Sequence, residues 1–257
     1  MGTQCYWVGD AGETILVDTG DGNPEGMRAL ERAWQELGRP RVVGVFVTHY
    51  HHDHSGGALP AVERWQCPLY LHALDQPLWA VQLGKSQDAW EPLYPEVRII
   101  GGVALRVIHA PGHTPGQCNI YLPNSGVLLS GDNVLGNTTS VVAPPDGDMG
   151  QYLATINQLL ELNPRIIGPG HGDVVQEPAP YLKEYLVHRE TRSQEILGGL
   201  FEQRGTSVGQ LVELIYGDTI GAGQKLAALG MTQAHLKWLI RQGLVVEDDG
   251  LFRKVAR

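Results

Sequence analysis

Along the first 180 residues, short apolar runs alternate with turn formers and with stretches of helical spacing. Residues 4–9 and 13–19 read as strands around the turn Asp10-Ala11-Gly12. Residues 24–37 read as a helix stopped by Gly38. Residues 41–47 form a β-branched strand that leads straight into a histidine-rich loop. Residues 58–65 read as a helix and 68–72 as the next strand. Further strands are predicted at 104–109, 118–122, 127–130 and 165–168. Residues 149–162 place Leu153, Ile156, Leu159 and Leu160 at helical spacing behind a candidate cap, Asp148. Strands separated by helices, with some direct hairpin steps, predict an α/β fold of mixed sheets covered by helices.

The pattern changes near Pro178-Ala179-Pro180. A long helix is predicted to about residue 204, with shorter helices at 208–216 and 223–229. Thr232 then reads as the cap of a helix to Gln242, with Leu236, Leu239 and Ile240 on one face and Gly243 at its stop. Residues 244–247 and 251–255, around Asp248-Asp249-Gly250, predict a hairpin. Helices followed by a hairpin predict a small winged helix-turn-helix, so the chain divides into domains at 1–180 and 181–257. No repeat or low-complexity segment is visible.

Composition narrows the classes. The chain has 257 residues, 42% of them hydrophobic, enough for a substantial buried core without staples. The longest apolar run, around residues 42–47, suits a buried strand and not a membrane span of about 20 residues. Met1-Gly2-Thr3-Gln4-Cys5 has neither a basic start nor an apolar stretch, so no export signal is read there. Cys5, Cys67 and Cys118 form no CxxC pair and predict free thiols, which suits a cytoplasmic location. The net charge of −9 argues against broad electrostatic capture of nucleic acid or anionic membrane.

The chemistry is concentrated in Thr48-His49-Tyr50-His51-His52-Asp53-His54-Ser55-Gly56-Gly57, which directly follows an apolar strand. Imidazoles and a carboxylate at H-x-H-x-D-H spacing can aim several metal ligands at one point. Three more strand ends each offer one ligand beside glycine: His113 in Pro111-Gly112-His113-Thr114-Pro115-Gly116, Asp132 in Ser130-Gly131-Asp132, and His171 in Pro169-Gly170-His171-Gly172. Of the other histidines, His52 reads as surface or packing and His109 as a core or supporting residue. His72 lies at a strand end near the site, and His188 and His235 read as exposed on helices.

This set of motifs, from residue 2 to about 175, resembles the metallo-β-lactamase fold superfamily. The resemblance implies a four-layer αβ/βα sandwich with two metals along one edge. It implies that His49, His51 and His113 hold one divalent ion and that Asp53, His54 and His171 hold the other, with Asp132 bridging. Asp18, in Leu16-Val17-Asp18-Thr19-Gly20, matches the family's carboxylate that orients a ligand histidine. Zinc is the expected metal, with iron and manganese compatible. The implied reaction is hydrolysis by a hydroxide shared between the metals, with Asp53 steering a proton as a catalytic residue.

The tail refines the match. Gly2-Thr3-Gln4-Cys5-Tyr6, the stretch from Ser130 to Gly136, and His188-Arg189-Glu190-Thr191-Arg192 resemble the β-lactamase-like protein 2 group, which joins such a metal domain to a winged helix. That group has one more strand ahead of the first element, so either the chain is truncated or its first sheet has an unusual edge, and a homo-oligomer is compatible. The resemblance implies cleavage of phosphodiester or related ester bonds, including single-stranded RNA. A glyoxalase II-like acyl or thioester hydrolase is the alternative, and a winged-helix nucleic-acid-binding or regulatory module is a third. A small molecule or single-stranded nucleic acid is thus the expected partner. Residues 75–96, with Trp79, Trp90 and Tyr94, read equally as a substrate cover or as a packed insertion. The charge divides unevenly, with 9 Lys and Arg against 19 Asp and Glu up to residue 182, and 10 against 9 beyond it. Ligand carboxylates account for part of that acidity, so it does not exclude a phosphodiester.

Overall fold

The computed structural model describes residues 2–10, 12–83 and 90–256. Two five-stranded sheets form the body. The first runs in the order β1 (Tyr6–Gly9), β2 (Glu13–Val17), β3 (Arg41–Phe46), β4 (Leu69–Leu71) and β5 (Glu91–Pro92), antiparallel at β1–β2 and parallel thereafter. In the second, β10 (Ile166–Pro169), β9 (Val127–Gly131), β8 (Cys118–Leu122), β7 (Val103–His109) and β6 (Val97–Ile100) follow one another. Only its β9–β10 pairing is parallel.

Alternation along the strands sends side chains into different layers. Ile15 and Val17 meet Phe46, Leu105, Val107, Ile120 and Leu129 between the sheets. Leu16, between them in sequence, lies on the opposite face with Val45, Val47, Leu69 and Leu71. That face is covered by α1 (Pro24–Glu36) and α3 (Ala58–Trp65). The outer face of the second sheet packs Leu128 and Ile167 against Tyr152, Ile156 and Leu159 of α5 (Met149–Leu162) and Leu182 and Tyr185 of α6 (Pro178–Gly198). The order is helix, sheet, sheet, helix.

Local chemistry places the helix ends. Asn23 accepts from the amides of Glu25 and Gly26 ahead of Pro24, and Asp148 accepts from the Gln151 amide to start α5. The helix α2 (His52–Ser55) falls in what reads as an extended loop. The strand β6 escapes the hydrophobic pattern, and the Gly101-Gly102 turn, both residues at positive φ, joins it to β7. Between β4 and β5 lies α4 (Gln76–Leu83). Residues 84–89, part of the stretch read as a cover, lie outside the described residues.

The tail comprises α6, α7 (Val208–Tyr216), α8 (Ala222–Arg241) and the hairpin β11 (Val245–Asp248) and β12 (Leu251–Lys254). Ser207 and Gln210 close a capping box on α7. Two helices are expected over residues 223–242, with Thr232 as a cap. Instead α8 runs through without interruption, and Thr232 is buried inside it. The reason is packing: a side-chain carbon on Gly230 would come within 2.7 Å of the Ala143 methyl, so the glycine permits close approach and does not end the helix. His235 is likewise not exposed. It is fully buried between α8 and α6, where its Nδ1 lies 2.9 Å from Ser193 Oγ. Among the described residues, no helix is long and apolar enough to cross a membrane.

Candidate metal centre

The ends of β3, β7, β9 and β10 converge at one edge of the two sheets and bring together every residue expected in the centre. His49, His51 and His113 form one group, and Asp53, His54 and His171 another. Ligand atoms within each group lie within 4.8 Å of one another. Asp132 stands between them. Its Oδ1 is 3.2 Å from His54 Nε2 and 3.5 Å from His171 Nε2, and its Oδ2 is 3.8 Å from His113 Nε2.

The outer nitrogens are anchored, which fixes what faces inward. His113 Nδ1 donates to the Val141 carbonyl at 2.8 Å, and His171 Nδ1 donates to the Gly2 carbonyl at 3.2 Å. His54 Nδ1 is 2.8 Å from Asp18 Oδ2. Asp18 also accepts from the Thr48 amide at 2.7 Å and the Thr48 hydroxyl at 2.8 Å. Its backbone sits at φ 58, a left-handed conformation that Asp tolerates better than most residues. These anchors turn the inner ring nitrogens toward one another across short gaps. His51 Nδ1 to His113 Nε2 is 3.0 Å, and His54 Nε2 to His171 Nε2 is 3.2 Å.

The donor set fits a pair of divalent ions. His49 Nε2 is buried and, among the described residues, has no hydrogen-bond partner. Such an orphan is costly in a protein interior unless something else satisfies it. A carbon added at Gly170 would lie 2.4 Å from Asp132 Oδ1 and 2.7 Å from His54 Cε1, so the centre is built against bare backbone. Burial, then repulsion from the neighbouring imidazoles, holds His49 well below its usual pKa, and burial lowers His113 to about 4. Both keep lone pairs free at neutral pH. Burial alone would also lower His54, but the Asp18 and Asp132 carboxylates outweigh it and raise it to about 10. The hydrogen bond from His171 holds the Asp53 carboxyl far below the usual range.

Three supporting residues have no local signal in the sequence. Asp146 accepts from the Tyr50 hydroxyl and lies 3.4 Å from His51 Nε2. Asp75, fully buried, accepts from the Tyr50 amide at 3.1 Å, the Thr114 hydroxyl at 2.7 Å and the Gly116 amide at 2.6 Å, tying the two ligand loops together. Burial raises its pKa despite those donors. Thr3 donates its hydroxyl to the Asp53 carbonyl at 2.6 Å.

The remaining sequence expectations sort cleanly. His52 is exposed, and His109 Nε2 bonds to the Pro115 carbonyl at 2.9 Å. His72 stacks on His109 with centroids 4.2 Å apart. Trp79 is buried in the core under α1 and α3, and Trp90 packs against that same core, so neither ring covers the centre; Tyr94 is exposed. Those rings are large apolar surfaces, and the outer face of the first sheet is the core within reach.

Such a dense His/Asp centre at the sheet edges of an αββα sandwich is the arrangement of one fold family. The sequence pattern of the Metallo-beta-lactamase superfamily matches residues 1–171, and the chain belongs to that superfamily, which is generally hydrolytic and whose fold implies divalent metal binding. The tail extends the likeness. The beta-lactamase-like protein 2 homolog of Drosophila melanogaster is 30% identical over 252 residues, covering 95% of this chain and 84% of the fly protein. A beta-lactamase domain protein from Burkholderia ambifaria shares the fold with a TM-score of 0.83 and 23% identity, over 94% of this chain and 83% of that one. TTHA1623, solved in a di-iron-bound form, is 31% identical with a TM-score of 0.56, over 68% of this chain and 89% of its own.

Proposed function

We propose that the chain is a dinuclear metal-dependent hydrolase acting on phosphodiester or related ester bonds, single-stranded RNA among them. The observation that supports this most is the placement of Asp132, whose two oxygens reach toward both histidine groups. In this reading His49, His51 and His113 hold one ion, Asp53, His54 and His171 hold the other, and Asp132 is common to both. Two divalent ions held there supply Lewis acidity to the scissile bond and acidify water near neutral pH. Zinc is our assignment, and the di-iron-bound relative keeps iron as the competing one. The protein's own part is orientation and proton handling. Asp18 holds the His54 ring, the Val141 carbonyl holds His113, and Asp53, half-exposed, steers a proton at its Oδ2.

A second reading, acyl or thioester hydrolysis, draws on a cavity of about 380 Å³ beside Asp53. Trp7, Ala29, Leu30 and Ala33 give it an apolar wall suited to an acyl group. The tail has the element order of a winged helix. We assign it to packing and not to nucleic-acid readout, because α6 and α8 contribute Leu182, Tyr185 and Ala234 to the body's core. Metal analysis coupled to turnover of bis-p-nitrophenyl phosphate, single-stranded RNA, a thioester and nitrocefin separates the readings. Phosphodiester turnover is expected. Turnover of the thioester alone would replace the first reading with the second.

A further inference from the structure

We propose that Arg189 and Arg241, on the C-terminal helices, are positioning residues for the His49–His51–His113 group, acting through the segment 140–148 that they grip at both ends. The proposal rests on the reading of that group as a metal site.

Segment 140–148 touches two of the three histidines. The Val141 carbonyl accepts from His113 Nδ1 at 2.8 Å, and Ser140 Oγ lies 3.4 Å from the same nitrogen. Asp146 reaches His51 Nε2 and the Tyr50 hydroxyl. Inside the segment, Gly147 donates its amide to the Ala143 carbonyl at 2.7 Å, a turn with no room for a side chain. Local bonds tie Asp148 to the start of α5, and the tail adds a hold at each end. At one end Arg189 Nη2 of α6 donates to the Ser140 carbonyl. At the other, Arg241 of α8 forms a two-pronged pair with Asp148, at 2.6 and 2.8 Å. Asp148 in turn donates its amide to the carbonyl of Gly112, next to His113 in the chain, at 2.9 Å. Between them Gly230 lets the α8 backbone rest on Ala143.

Arg189 is an expensive way to fill space. It is 2% exposed, and its guanidinium meets the Ser140 carbonyl, the Met231 thioether at 4.0 Å and the Tyr152 ring face at 5.1 Å, with Nε unpartnered. A buried cation with no carboxylate partner among the described residues carries a large desolvation cost that packing alone would not require. Met or Leu would fill the volume more cheaply. What Arg adds is a charge-assisted hydrogen bond to the main chain one residue before the carbonyl that orients His113. The tail thus sets a ligand's geometry without touching the centre.

The test uses the full chain stripped of metal and titrated with Co²⁺, with absorption bands reporting ligand geometry and a chromophoric chelator reporting each binding step. Arg189→Met is expected to weaken one of two steps by about 10–100-fold, the range for partners that orient a ligand, and to shift the bands while leaving the other step unchanged. Arg189→Lys, which keeps a donor, restores part of the loss. Arg241→Gln, at a half-exposed pair, is expected to weaken the same step by less and decides the matter if Arg189→Met does not fold. Leu211→Ala, in the tail's own core, lowers thermal stability and leaves both steps intact. Unchanged Co²⁺ steps in folded Arg189→Met or Arg241→Gln, or losses in both steps that Leu211→Ala reproduces, overturn the proposal. A parent chain that takes up no Co²⁺ overturns the metal reading itself.

Discussion

His113 and His171 each turn an Nδ1–H onto a main-chain carbonyl, yet those carbonyls come from parts of the chain far apart in sequence. For His113 it is Val141, in a segment held by α6 and α8. For His171 it is Gly2, ahead of β1, while its neighbour His54 leans on Asp18 at the end of β2. His113 therefore leans on the tail through segment 140–148, whereas His54 directly, and His49 through Thr48, lean on Asp18 at the end of the first strands. Each group mixes buried and open ligands: His49 and His54 are fully buried, whereas the Asp53 side chain is 52% exposed and that of His51 31%. The lesson is that a near-symmetric set of ligands can be supported by unrelated parts of the chain, so damage in one part should be felt more on one side than on the other.

The largest effect should come from removing what the two groups share. Asp132→Ala is expected to lose stoichiometric metal on both sides and to bring turnover down to background, read by elemental analysis and initial rates. Two retained ions would break the view of one joined centre. Gly170→Ala comes next, since its methyl group would intrude on Asp132 and His54. Metal uptake and turnover should both fall by at least about tenfold. A variant with full uptake would show that the backbone there has room to yield. Asp18→Ala should weaken the side containing His54 by about 10–100-fold and spare the side containing His49 and His51 less completely, because Thr48 also leans on Asp18. Stepwise metal titration reads the ratio, and equal losses on both sides would erase the asymmetry.

The smallest effect concerns the tail alone. Burial, then the nearby Arg189 and Arg192 charges, lowers His235 to about 3. The unfolded chain takes up a proton there near pH 6.5, and the folded chain does not. Stability is thus lost as pH falls through the window from about 6.5 toward 3 and is regained as it rises. Thermal unfolding followed across that window should show the decline, and His235→Gln should flatten part of it. An identical pH slope in the variant would mean that His235 is not the group responsible.

Most of the centre was legible because its ligands crowd at strand ends beside glycine, where sequence neighbours become spatial ones. The boundaries of α3, α5 and α7 were legible for a related reason, since caps and apolar spacing act within a few residues. What escaped was set at long range. Asp75, Asp146 and Arg189 are single polar residues whose partners lie 25, 95 and 49 positions away. Gly230 and Thr232 look like a helix break until Ala143 is seen beside them. Trp79 and Trp90 read equally as a cover or as packing until both are seen to join the core between the first sheet, α1 and α3. The strand β6 is different: the Gly101-Gly102 pair announces its hairpin, and a reading alert to two-residue turns would have found it.

The anchoring of His171 by Gly2 has a consequence for biosynthesis. The two residues are 169 positions apart, and the Gln4 amide meets the Gly170 carbonyl at 2.7 Å beside them. Arg241, which steadies the opposite side, lies near the last helix end. Contacts of such long sequence separation form late, after the loops between them have closed. During synthesis the 49–54 histidines emerge well before their partners and wait, solvated and unpaired. The centre is therefore completed only once residues as distant as 2, 171 and 241 have all been made, and any ion it holds would be taken up after that.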